Sequence, residues 1–357
     1  MLKKAAAVFL VCASLATWIG CATTTNRYVY AAIPAANNIV AYREDPNSGV
    51  LTVLAGSPIT AGSAVQSILV HPSGKFLFAA NSGGSDVSLF TIATNGALTE
   101  VTPRTVVGVA PTLLAMDSAG AFLYVANSGT NNISAFSIDS GSGALTAVGA
   151  PFPIGISPLN MKLSPSGNFL YVTGAAGAGS SGIIEAFSLN AGVPTVVAGS
   201  PFLAGTVPQG LAIDPSGAHL YTANAAPDNS ISEFTINPDG SLTELSGSPI
   251  GETFSGPIAL LIDNTGQYLY VANETSNNLA AYGVGSDGGL TLLTNSPFTT
   301  GSHPSFITSD PSGKYLFVGN QSSPAVQSFS LDRSTGTLTS VASYSVGNTP
   351  GSIAVTP

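Results

Sequence analysis

Three side chains stand out as able to do chemistry in a chain poor in charged residues: Lys162, Glu274 and His303. Charged residues make up 8% of the 357 positions, so each exception needs a reason. Lys162 sits in an otherwise apolar segment, at a place held elsewhere in the chain by Leu69, Ala115, Ala212 and Leu261. A buried ammonium must be paired or turned to solvent, so a channel or a nearby acid such as Glu185 is its expected partner. His303, just before Pro304, and Glu274, just after Asn273, are of the types that take up and return protons in hydrolysis. The plainer readings are an inert surface imidazole and a solvated loop carboxylate. His71 and His219 read as structural, the latter because it replaces an aromatic within a strand. There is no Cys/His cluster, H-E-x-x-H or G-x-S-x-G elbow, so neither a zinc site nor an α/β-type serine hydrolase is expected, and neither a metal nor a cofactor is assigned.

A second group of candidates is polar but uncharged. Gln66, Asn160 and Gln209 lie at the start of apolar segments, and Asn81, Asn127, Asn224, Asn273 and Asn320 close the segments that follow. If both sets fall on one rim, they and Lys162 form a polar ring around a mouth that could bind a small molecule. The alternative is that the asparagines close loops by bonding to backbone, a use Asn favours.

What places these residues is a repeat. Asp310-Pro-Ser-Gly-Lys-Tyr-Leu-Phe-Val-Gly-Asn320 returns in near-copy at His71 to Asn81, Asp214 to Asn224 and Asp263 to Asn273. Its second aromatic recurs at Tyr30, Phe78, Tyr124, Tyr171, Tyr221, Tyr270 and Phe317, at spacings of 48, 46, 47, 50, 49 and 47. Each period holds four short apolar segments separated by Pro-Ser-Gly or Gly-bearing turns, and no segment sustains a helical apolar period. The first strand of each repeat is apolar at consecutive positions, so it is expected to be buried on both faces. Together these predict an all-β fold: a seven-bladed β-propeller of four-stranded antiparallel blades. The aromatic column Tyr42, Phe90, Phe136, Phe187, Phe234, Tyr282 and Phe329 is the expected packing wedge between blades. The chain enters at a second strand and ends in Pro350-Gly-Ser-Ile-Ala-Val-Thr-Pro357, a further copy of the first, so the C-terminal strand should join the N-terminal blade and close the ring. Antiparallel order then puts the Pro column (Pro111, Pro158, Pro208, Pro257, Pro304, Pro350), His303 and Glu274 on one rim, the top.

Residues 1–20 read differently. Lys3-Lys4 and the apolar run after them form an export signal, and Trp18-Ile-Gly-Cys21 resembles a lipoprotein cleavage box in which Cys21 would be lipidated, although Trp18 stands where Leu is usual. A plain secretory signal cut nearby is the alternative. Residues 21–27 would be a tether and 28–357 a single propeller domain. Removing the signal turns nine basic and eighteen acidic residues into seven and eighteen, a net charge of −11, which excludes a phosphate-backbone partner. The expectations are a monomer in the cell envelope that touches the membrane through its lipid anchor only, with a small-molecule ligand or an envelope protein as partner. Gly177-Ala-Gly-Ser-Ser-Gly182 spells G-x-G-x-x-G, but a strand follows it rather than a helix, so it is read as a long loop and not a pyrophosphate cradle.

The repeated Phe-Leu-Tyr-Val-Ala-Asn, the Asn-Asn-Ile-Ser-Ala-Phe ending at Phe136 and the Gly-Ser-Pro-Phe ending at Phe202 resemble the lactonase-type seven-bladed propellers. That family includes 6-phosphogluconolactonases and muconate-cyclising enzymes and overlaps the YVTN repeat proteins. The resemblance implies lactone hydrolysis, for which its enzymes carry an Arg-His pair at the start of a first strand and Asn-Glu after the second. Here Asn273-Glu274 matches, but Pro257-Ile-Ala259 stands where Arg-His is expected. The two readings are therefore a binding module and a lactonase in which Glu274 or His303 activates water.

Overall fold

The computed structural model describes residues 26–175, 181–251 and 253–357, and within them the chain forms seven antiparallel sheets. The signal and Cys21 lie outside the described residues. In blade five the order from the axis outward is Pro208–Ile213, His219–Asn224, Ser230–Ile236 and Leu242–Glu244. The first turn is set by its own sequence. Gly217 takes φ 75, and Asp214 Oδ1 accepts the Ala218 amide at 2.8 Å. The sole helical element among the described residues is a single turn, Pro34–Ala36.

The four-strand expectation is met with one refinement. In five blades the outer strand is split into two short segments that both pair with the third strand, as Leu242–Glu244 and Ile250–Gly251 do. A proline marks each break, preceded by serine in four of the five blades. Ser248 Oγ accepts the Glu233 amide at 2.9 Å, and Ser57, Ser200 and Ser296 serve Ala41, Ala186 and Ala281 in the same way. A backbone donor that the interrupted ladder would orphan is thereby satisfied.

The second strands, not the first, are the ones buried on both faces. Phe76–Asn81 is buried at every position, while the innermost strand Val65–Val70 alternates between buried and half-buried. The first strands were expected to be sealed, but they border a central channel, so part of each faces open space. Tyr30, Phe78, Tyr124, Tyr171, Tyr221, Tyr270 and Phe317 are all enclosed between blades, each burial contributing about 2–3 kcal/mol. The aromatic wedge on the third strands is likewise buried. The tyrosines do more than fill space. The hydroxyls of Tyr30, Tyr171, Tyr221 and Tyr270 donate to the carbonyls of Gly96, Gly240, Gly288 and Gly336 at 2.7–3.0 Å, each in the next blade's outer hairpin. Burial pushes all four phenols up.

The ring closes as expected. Ser352–Val355 pairs with Arg27–Ile33 in the register Val29↔Val355 to Ala32↔Ser352. Ser352 Oγ also accepts the Ile68 amide at 2.8 Å, tying the last strand to blade two. Below the seam Arg27 Nη1 bonds Asp310 Oδ2 at 2.5 Å, with Glu44 3.9 Å from the same nitrogen. Burial first, and then the Asp310 charge, push the Glu44 carboxyl up to about 7.

Candidate functional site: the central channel

The seven innermost strands enclose a cavity of about 550 Å³ on the propeller axis. Its polar lining is decided by one backbone irregularity. In each of blades two to seven the pairing of first and second strands slips by one residue at the top: Val65 faces Asn81 and Ser67 faces Ala80, leaving Gln66 unpaired. The same bulge sets aside Thr112, Leu159, Gln209, Ile258 and Ser305. A bulge re-aims the extra residue, and all six of these residues line the channel.

Of the polar candidates, Gln66, Asn160, Lys162 and Gln209 are brought together on the channel wall, joined by Gln321, which the sequence reading missed. The signal was available, since Gln321 directly follows Asn320, as Glu274 follows Asn273. Asn160 is already committed: its Nδ2 donates to the Gln209 carbonyl at 2.9 Å, linking blades four and five, and its Oδ1 accepts the Met161 amide. The side-chain amides of Gln66, Gln209 and Gln321 carry no protein hydrogen bond among the described residues, so they are free for a ligand.

The asparagines go elsewhere. Asn81, Asn127, Asn224, Asn273 and Asn320 are completely buried inside their blades and do not line the channel. Asn224 Nδ2 donates to Ser230 Oγ and Ser232 Oγ at 3.0 and 2.9 Å, and Asn81 makes the matching bonds to Asp86 and Ser88. A glycine from the incoming loop lies over each of four. A Cβ on Gly62, Gly108, Gly205 or Gly301 would fall 2.2–2.9 Å from Asn81, Asn127, Asn224 or Asn320. Their place on the rim was read correctly, but the side chains turn towards the third strand, away from the axis.

Lys162 presents its side chain to the channel. Among the described residues its ammonium has no hydrogen bond and no carboxylate within 4.0 Å, and Glu185 is not its partner. Glu185 faces a small outer pocket and accepts the Gly155 amide at 2.8 Å. Lys162 is exposed to the channel rather than sealed in protein, and desolvation by the surrounding channel wall pushes its pKa down.

Neither proposed acid-base residue lines the cavity. His303 is an exposed left-handed residue (φ 56) whose backbone amide donates to Asn277 Oδ1 at 2.8 Å. Ala64 and Gly256 occupy the same latch, with Asn37 and Asn229 as acceptors, so this position is a backbone device whatever its side chain. Glu274 is half-buried, its amide bonded to the Gly256 carbonyl at 2.7 Å. No hydrogen bond or ion pair joins His303 to Glu274 among the described residues. Among the described residues the one carboxylate on the channel wall is Asp310, held by Arg27. The Gly177 motif falls partly outside the described residues, and the segment after it is the strand Gly182–Asn190.

Comparison with known proteins gives a consistent picture. The family described as "Lactonase, 7-bladed beta-propeller" matches residues 54–157, 113–190 and 248–355. A 6-phosphogluconolactonase of Cronobacter sakazakii is 35% identical over 77 residues, a match spanning 22% of either chain. A provisionally assigned 6-phosphogluconolactonase of Bacteroides fragilis superposes with a TM-score of 0.81 at 20% identity, over 94% of this chain and 99% of that one. The periplasmic gluconolactonase of Pseudomonas aeruginosa does so with a TM-score of 0.75 at 19% identity, over 93% and 99%. At such identities the structural likeness speaks to the fold alone.

Proposed function

The chain belongs to the lactonase family of seven-bladed β-propellers, and on that premise we propose that it is an exported, lipid-anchored member that binds a small oxygen-rich molecule in its central channel. The observation that carries this reading is the grouping of the free amides of Gln66, Gln209 and Gln321 with the unpaired amine of Lys162 around one cavity of ligand size. Such a wall offers donors and acceptors to hydroxyl, ether and carbonyl oxygens, and one amine to whatever reaches the channel middle. Export is supported by Lys3-Lys4 and the apolar run to Gly20, and lipidation by Gly20-Cys21. Labelled palmitate should enter the wild type and not Cys21→Ser; equal labelling of both would remove the anchor.

A second reading, lactone hydrolysis, is favoured by the Cronobacter relative and by Asn273-Glu274. In it Glu274 activates water, an arrangement that needs a substrate seated at the rim beside blade six rather than on the axis. One panel of sugar lactones and their open acids separates the two. Calorimetric binding that falls at least about tenfold in the Gln66→Ala, Gln209→Ala double variant, with no turnover, supports the binding module. Turnover abolished by Glu274→Gln establishes the hydrolase, and neither binding nor turnover with any member overturns both.

A further inference from the structure

We propose that Lys162 is a nucleophilic amine, and that the channel captures small hydroxyaldehydes, such as open-chain aldoses, as reversible imines on its Nζ. Six of the seven innermost strands place an uncharged residue at this level: Leu69, Ala115, Ala212, Leu261, Thr308 and Ala354. The seventh carries a primary amine that bonds to nothing among the described residues and stands open to the channel.

The charged and titratable groups of the surrounding elements are all engaged elsewhere or placed beyond ion-pair reach. Tyr171, the cross-strand neighbour of Lys162, donates its hydroxyl to Gly240 in the next blade. Glu185, on the third strand of the same blade, holds the Gly155 amide. Asp214, just past the end of the blade-five strand, is paired with His219 at 2.9 Å. Asp117, just past the blade-three strand, accepts the Phe122 amide. Asp310, across the channel, is neutralised by Arg27. With no anion beside it and the channel wall around it, the charged form loses stabilisation, and the lowered pKa raises the fraction present as free amine. That is how an active-site lysine becomes a nucleophile.

The step balances without redox chemistry. The Nζ lone pair attacks the carbonyl carbon, and the C=O π pair moves to oxygen. A proton passes from nitrogen to that oxygen, giving a carbinolamine. Loss of its hydroxyl with a second proton releases water and leaves C=N. Gln66, Gln209 and Gln321 supply hydrogen-bonding groups for the hydroxyls along the chain of such an aldehyde.

This inference shares the cavity of the proposed binding function, so its test uses a different readout. The full-length mature protein is incubated with glyceraldehyde and cyanoborohydride, and the alkylated lysines are located by peptide mass mapping. Lys75, Lys162 and Lys314 are the lysines beyond the signal. At pH 7 Lys162 should be alkylated several-fold faster than the other two, a ratio that shrinks as rising pH deprotonates all three amines. The selectivity should vanish in denaturant, and Lys162→Arg, which keeps a cation without the nucleophile, should leave only slow labelling. Lys162 reacting no faster than Lys75 and Lys314 in the folded protein, or fast labelling that survives in Lys162→Arg, overturns the proposal. Calorimetric binding of lactones and sugar acids, which form no imine, to the untreated wild type tests the binding module separately, so either can fail alone.

Discussion

In blade five, Asn224 is sealed beneath Gly205 and bonded to Ser230, Ser232 and Thr222, whereas in blade four the equivalent second-strand residue is Gly174. The space is not empty there. A Cβ on Gly174 would lie 2.4 Å from the Ser157 carbonyl and 2.9 Å from Ile156 Cδ1, because the incoming loop itself fills the site and buries Ile156. Where blade five has Ser232, blade four has Glu185, which takes over the loop amide through Gly155. Where blade five has Ala212, blade four has Lys162. Two neighbouring copies of one repeat thus close the same corner in different ways, one with a polar latch and the other with an apolar plug and a longer acid. The difference teaches that the latch is one solution among several. It also shows that blade four, which departs from the repeat at this corner, is the blade that puts an amine into the channel.

Exchanging the two solutions should break both blades unequally. Gly174→Asn drives a side chain into backbone and should destabilise by about 3 kcal/mol or more, read from the urea midpoint; a neutral result would mean that the loop is not held where it is described. Asn224→Gly leaves three hydroxyls without their partner and a void under Gly205, for a loss of about 2 kcal/mol. If it costs less than the Tyr221→Phe change, expected at ~1 kcal/mol for the single inter-blade bond to Gly288, the polar latch is not what holds the blade.

The smallest effect sharpens the comparison by charge alone. Burial pushes the Glu185 carboxyl up, against the lowering pull of the Gly155 amide. A raised folded-state pKa means that the native protein binds more protons than the unfolded chain, so this contribution is fully present below the unfolded pKa and is lost as pH rises through the folded one. Glu185→Gln keeps an acceptor, as Gln327 does for the Gly301 amide at 2.9 Å in blade seven. It should gain up to ~0.5 kcal/mol at pH 8, after discounting for its partial exposure, and nothing at pH 4. A gain of the same size at both pH values would show that the charge is not responsible.

The fold was largely legible because its determinants are local and repeated. An aromatic every 46 to 50 residues, a glycine turn after the first strand in blades two to seven and a spare copy of that strand at the end dictate seven blades and a sewn ring. The lining of the site was half legible. Gln66 and Gln209 were found and the buried asparagines were placed on the wrong side, because alternation along a strand predicts facing only while the register holds. The bulge at the top of each first strand slips the register by one residue, and nothing in the local pattern announces it. The tyrosine hydroxyls were missed for a related reason: their acceptors lie 66 to 69 residues away and exist as a corner only once blades stack.

The sequence by itself determined the architecture, the count of blades, the closing strand and the oddity of Lys162, since periodicity and composition are properties of the chain. Only the tertiary structure decided what Lys162 faces, that Glu185 is occupied elsewhere and that His303 holds a latch with its backbone. Those outcomes depend on which side chains from distant repeats meet at the axis, and pairwise meetings of that kind are set by bulges and blade stacking rather than by the residues next in line.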